Sequence, residues 1–233
     1  SHFLTVQYCI VHEGLNDAGH KKGKRGYGPQ WGGSPATYHH NLLAGNDSRS
    51  PRFNGARGED YVVFMEYVNN VNFNWGRWNS CYGGRNSAHE CNFMNNYYKP
   101  GPESPANSVF VMASHARKGA TSWGPARWYV SGNVMEGNDA ATADNWQAMS
   151  AEKYTTDQIR VNERIVPEMP YYKLDETEGA IGKYRPSRYM LTDIQTADEA
   201  YKTVLKKAGT INRDATEKRV INDVKSGNPK FSG

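Results

Sequence analysis

An all-β chain, wound as a solenoid of stacked parallel strands with long loops, is the fold class this sequence predicts. Three observations point to it. Hydrophobic residues make up 37% of the 233 positions, while Gly 23, Tyr 15 and Trp 6 fill the deficit, a profile that suits a turn-rich β fold rather than a helix bundle. An asparagine follows an apolar or aromatic strand four times, at Asn41, Asn70, Asn96 and Asn133, spaced 29, 26 and 37 residues apart. Glycine- and proline-rich segments at 14–35, 76–89 and 99–106 separate the strands, as loops on a rigid scaffold do.

The asparagine units are TYHHNLL, EYVNNVNFNW, CNFMNNYYK and WYVSGNVME. Each has an aromatic residue three or four positions before the asparagine and an apolar or aromatic residue just after it. The preceding residue is His40, Asn69, Asn95 or Gly132, all tolerant of a bend. The intervals are too long for hairpins and too strand-like for helical repeats. They predict one asparagine per coil, with the amides hydrogen-bonding to one another up the axis. Asparagine also favours turns in general, but here its flanks recur with it.

The chain opens on a strand, Phe3 to Val11, with residues expected upstream of it, and its first residues lack the basic start and long apolar run of a secretion signal. Residues 1–146 are expected to hold the coils and their loops. Residues 147–233 are expected to form an irregular, then helical extension packed on the same domain. Thr196-Ala197-Asp198-Glu199 reads as a capping box, with Ala200, Val204 and Leu205 on the apolar face and Gly209 as the stop. A second helix is expected from near Asp214 to Ser226, with Val220, Ile221 and Val224 facing inward. Two short helices are too little for a separate domain, so they are expected to lie on the strands.

No run of about 18 apolar residues exists to span a membrane. The net charge of +4 does not call for nucleic acid, but the basic excess is local: HKKGKR at 20–25, then Arg49, Arg52 and Arg57. Cys9 sits in the apolar LTVQYCIV and reads as a buried thiol; Cys81 and Cys91 are as compatible with a disulfide as with two free thiols. No zinc spacing, nucleotide-binding glycine motif or nucleophilic serine motif is present. His39 and His40 would point to opposite faces of a strand, which argues against a shared metal. The tryptophans on strands, Trp75 and Trp128, read as core, and Trp31 in its glycine-rich loop as a platform for a sugar.

Arg49 and Arg52 flank Pro51, which pushes Ser50 toward an extended backbone. Guanidinium groups held in this way suit carboxylate ligands, which they bind through paired hydrogen bonds. LTVQYCIVHEGL, GYGPQWGG, HHNLLAGNDSRSPRF, NNVNFNWG, CYGG, NNYYKPGP, WYVSGNVMEG and TADEAYKTVLKKAGTINRDATEKRVINDV run through nearly the whole chain in order. In these pieces the chain resembles the pectate lyases of the pectate lyase C-like group, which are right-handed parallel β-helix polysaccharide lyases.

The resemblance implies Arg49 as the catalytic base and Arg52 as a partner of the substrate carboxylate. Lys24, Arg25 and His20 are candidates for a second cation, Arg57 and Lys99 for outer subsites, and Trp31 for sugar stacking. It implies polygalacturonate or pectin as the partner, with no nucleic acid, a monomer, and a secreted, periplasmic or cell-surface location. It also implies β-elimination assisted by Ca²⁺ and a strongly alkaline optimum. The Ca²⁺ ligands of the family lie just before LTVQYCIV, so none is assigned in this chain; Glu13 and Asp17 are acidic neighbours without a matching motif. Two alternatives remain: a non-catalytic polyuronate-binding fragment, and a pectin-directed glycoside hydrolase, which would need a carboxylate pair that the strands do not show.

Overall fold

The computed structural model describes residues 3–54, 63–77, 80–83, 89–106, 110–112, 126–151, 154–167 and 190–231. Strands succeed one another in threes. The first rounds are β1 (Leu4–Gln7), β2 (Ile10–His12), β3 (Gln30–Trp31), then β4 (Ala36–His39), β5 (Leu42–Ala44), β6 (Arg52–Phe53). The next are β7 (Val63–Val68), β8 (Val71–Phe73), β9 (Cys81–Tyr82), then β10 (His89–Met94), β11 (Tyr97–Lys99), β12 (Val111–Met112). The last comprises β13 (Arg127–Ser131), β14 (Val134–Met135) and β15 (Met149–Ser150). Helices are α1 (Asp139–Ala143), α2 (Thr156–Ile159), α3 (Ala197–Lys207) and α4 (Ala215–Ser226).

Each of three five-stranded sheets takes every third strand: β1-β4-β7-β10-β13, β2-β5-β8-β11-β14 and β3-β6-β9-β12-β15. All pairings are parallel, so like residues stack in columns. Tyr38, Tyr67, Phe93 and Val130 lie in one register across the first sheet. The Tyr67 and Phe93 rings stack at 5.3 Å, and Phe53 meets both Tyr67 and Trp128 edge-on. With Tyr98 and Phe110 these aromatics form the main core, each contributing burial and ring–ring attraction.

The all-β expectation of a right-handed parallel β-helix is corrected here. The strands make three separate parallel sheets, and no closed solenoid forms among the described residues. The third sheet consists of two-residue strands between long loops, a narrow ribbon rather than a full wall. A helical layer supplies a second core: Val204, Leu205, Ala208, Val220, Ile221 and Val224 of the α3–α4 hairpin pack on Leu42, Ala44, Val71 and Phe73 of the second sheet. Burying each large aliphatic side chain contributes roughly 1.5–3 kcal/mol, which explains why this pair docks rather than floats. Both helices carry full capping boxes, Thr196 with Glu199 and Asp214 with Glu217, and α4 ends on Gly227 in the left-handed region. Among the described residues no helix is long and apolar enough to cross a membrane.

The asparagine ladder forms as the repeat requires. Asn41 N–H and Nδ2 donate to Asn70 Oδ1, Asn70 to Asn96, and Asn96 to Asn133, at 2.8–3.2 Å. The residues before the rungs, His40, Asn69, Asn95 and Gly132, have φ of 54, 57, 51 and 69°. Two ends escaped the sequence pattern. Asn145 is a fifth rung, accepting from Asn133 through Oδ1. Cys9 occupies the rung position of the first round and donates its N–H to Asn41 Oδ1 at 2.9 Å. Tyr8, at φ 54°, turns the chain there, so the expected Phe3–Val11 strand is two strands, and Cys9 is exposed rather than buried. Cys81 and Cys91 are both buried and are not joined in a disulfide, which resolves their pairing.

His39 and His40 do not point apart, because His40 sits at the bend and not on the strand. Their Nδ1 atoms lie 2.7 Å apart, and His40 Nε2 meets Gln195 Oε1 at 3.0 Å. The pair is thus joined to the C-terminal segment. That segment is clasped across the first sheet elsewhere too: buried Glu66 accepts from Arg164 Nη2 at 2.6 Å and from Leu191 N–H at 2.8 Å.

Candidate functional site

The loops that carry the chain from the second sheet to the third run side by side. Asp47 N–H donates to Gly26 O at 2.7 Å, Gly28 N–H to Ser48 O at 2.8 Å, Ser50 N–H to Ser80 O at 2.7 Å, and Arg52 N–H to Pro29 O at 2.9 Å. Tyr27 and Ser48 form a parallel bridge. Gly28 is required here: a Cβ at this position would run into the Arg49 carbonyl. Parallel stacking therefore sets 24–31, 47–53 and the described residues 77 and 80–82 against each other, and Arg25, Arg49 and Arg52 lie on these segments.

Arg49 lies in the left-handed region at φ 63°, an uncommon conformation for a residue with a side chain. Its guanidinium carbon is 4.2 Å from the centre of the Tyr27 ring. The Arg25 guanidinium lies 5.6 Å from the same ring centre. Arg52, on β6, is in register with Gln30 and Tyr82. The adjacent carboxylate, Asp47, is buried and fully engaged by Arg77, whose Nε reaches Oδ1 and Oδ2 at 3.0 and 2.8 Å and whose Nη2 also binds Oδ2. Arg77 Nη2 also donates to the Lys24 carbonyl at 3.4 Å, tying the three loops together. Asp47 holds Arg77 above the usual arginine range through these hydrogen bonds.

From inside, the Ser50–Pro51 peptide, one residue beyond Arg49, is clamped by a buried polar chain. The Ser50 carbonyl accepts from Asn72 Nδ2 and from the Cys81 thiol. Tyr67 OH donates to Asn72 Oδ1 at 2.7 Å, and Tyr98 OH lies 3.2 Å from Cys81 Sγ. Burial pushes the Cys81 thiol up to about 12, so it stays a donor into the alkaline range.

The other sequence candidates scatter. Lys24 and His20 are exposed in the 13–29 loop, and His20 Nδ1 accepts from Lys22 N–H at 3.0 Å. Trp31 stacks on Tyr38 at 4.6 Å and 5° and packs against the core, so one face is occupied. Lys99 is at the end of β11, 3.4 Å from Glu136, near Tyr201 of α3. Arg57 lies outside the described residues. Glu13 is taken by Arg219, with two contacts of 2.6 Å that pin α4 beside β2; Asp17 is exposed. Tyr27, Asp47, Asn72 and Arg77 were missed by sequence reasoning. Only the glycines on either side of Tyr27 and Gly76 before Arg77 hinted at close backbone approach.

Among the described residues no group of three or more His, Cys, Asp and Glu side chains is arranged to hold a metal ion. Among the described residues the Ca²⁺ implied by the resemblance therefore has no fitting donor set. Compared with models of known protein families the chain matches none, and no curated protein matches it significantly.

Proposed function

We propose that the chain acts on polygalacturonate as a lyase, with Arg49 as the base and Arg52 and Arg25 binding substrate carboxylates. The observation that carries this is the placement of Arg49. Its backbone is fixed in the left-handed region, its guanidinium is seated on Tyr27, and the adjacent acid, Asp47, is already committed to Arg77. A cationic face with its internal carboxylate spoken for attracts an acidic polymer.

In the reaction, a neutral Arg49 nitrogen takes the C5 proton of a galacturonate. The C5–H electron pair becomes the C4=C5 double bond, and the C4–O4 bond breaks. The departing oxygen takes a proton from solvent. Charge that develops on the adjacent carboxylate during proton removal is met by the remaining guanidinium groups. An esterified uronate would bind less well, since an ester cannot accept the paired hydrogen bonds of a guanidinium.

The test is ultraviolet absorbance of unsaturated uronides on polygalacturonate, with and without chelator, at neutral and alkaline pH. Absorbance should grow, and grow faster toward alkaline pH, and Arg49→Lys should stop it. Binding without absorbance would replace the lyase by a binding module, and release of saturated reducing ends would replace it by a hydrolase.

A further inference from the structure

We infer that Tyr27 is the positioning residue of this site: its ring is a common seat for the Arg25 and Arg49 guanidinium groups, and it holds the carboxylate-binding Arg25 beside the base Arg49. This rests on the polyuronate proposal for the ligand's identity, but the seat itself does not.

Two like charges do not gather without a reason. Arg25 and Arg49 come from loops 24 residues apart in sequence, yet both guanidinium groups lie within cation–π range of one ring, at 5.6 and 4.2 Å. The negative face of the ring offsets part of their repulsion. A ring that covers the face of a guanidinium leaves its N–H edge open, and that edge makes paired hydrogen bonds to a carboxylate. Neither arginine has an ion-pair partner among the described residues. Arg25 Nε is buried and finds no hydrogen-bond acceptor among the described residues.

The seat is also built to stay put. Asn16 accepts the Arg25 N–H through its carbonyl at 2.7 Å and the Gly26 N–H through Oδ1 at 3.0 Å. Tyr27 itself is bridged to Ser48, one residue before Arg49. The ring, and not the hydroxyl, carries the contact to the guanidinium groups.

Tyr27→Phe keeps the ring and Tyr27→Leu removes it. Two readouts are needed. The first is the rate at which phenylglyoxal modifies Arg25 and Arg49, measured by peptide mass analysis. Wild type and Tyr27→Phe should react alike, and Tyr27→Leu should react about three- to tenfold faster at both arginines. The second is equilibrium binding of polygalacturonate, where Tyr27→Leu should weaken affinity by about three- to tenfold while Tyr27→Phe stays near wild type. Unfolding midpoints of all three should agree within a few degrees. Unchanged modification rates in Tyr27→Leu, or a Tyr27→Phe that behaves like Tyr27→Leu, would overturn the seat. Failure of wild type to bind polygalacturonate would overturn the proposed substrate and leave the modification result to decide the seat alone.

Discussion

The two corners of each round differ in how they use the same bend. Between the first and second sheets, every round places a residue at positive φ, followed in every round after the first by an asparagine that hands its hydrogen bonds onward. All four sequence-predicted rungs are buried, at 0–1% exposure. Between the second and third sheets the bend is again at positive φ, at Glu13, Gly45 and Asn74, but the loop that leaves it differs in each round. There the loops carry Arg25, Arg49 and Arg77, half-exposed or pairing across loops. Repetition lets one corner satisfy itself internally. Its absence at the other leaves cationic side chains for a ligand.

That contrast predicts opposite outcomes for substitution at the two corners. Arg49→Lys should cut elimination by about 10²–10⁴-fold, the range for losing a general base, with the unfolding midpoint little changed. Asn70→Ala should do the reverse. Asn70 Oδ1 accepts from two Asn41 donors and its Nδ2 reaches the Tyr38 and Val68 carbonyls. Leaving such buried groups unpaired at about 1–3 kcal/mol each should cost roughly 3–5 kcal/mol in urea unfolding. A neutral Asn70→Ala would mean the ladder is incidental.

The first corner also carries a pH signature. Burial first, and His40 second, lower His39 from 6.5 to about 4. The unfolded chain therefore binds a proton that the folded chain refuses in this window. Stability should be full above pH about 6.5 and decline as pH falls toward 4, by roughly 2–3 kcal/mol from this group. Urea unfolding at both ends of that range should show a smaller difference in His39→Gln than in wild type. The smallest effect is expected at the second corner's own ion pair. Arg77→Ala leaves Asp47 buried without its partner, but Arg77 is 46% exposed, so the loss should be about 1–2 kcal/mol. The same variant should lower polygalacturonate affinity, because an uncompensated Asp47 would compete for Arg49.

Legibility tracked the range of the interactions. The four rungs, the capping box of α3 and the start of α4 near Asp214 were readable because each is a local pattern, repeated or bounded by its own residues. Asn145 was not, since it ends the ladder from a short helical turn and not from a strand. The meeting of His39 with His40 was missed because strand alternation was applied to a residue that stands at the bend. The Asp47–Arg77 pair joins positions 30 apart, and the Glu13–Arg219 pair positions 206 apart. Nothing local marks either.

By itself the sequence determined the bends, the rungs, the helix ends and the position of Arg49, because backbone preference and short-range hydrogen bonding act on neighbouring residues. Only the tertiary structure decided how the parallel strands divide into three sheets, which of them the helical layer covers, which arginine Asp47 neutralises, and that Tyr27 lies beneath two guanidinium groups. Those outcomes depend on which loops parallel stacking brings into register, and register is set by the packing of the whole core.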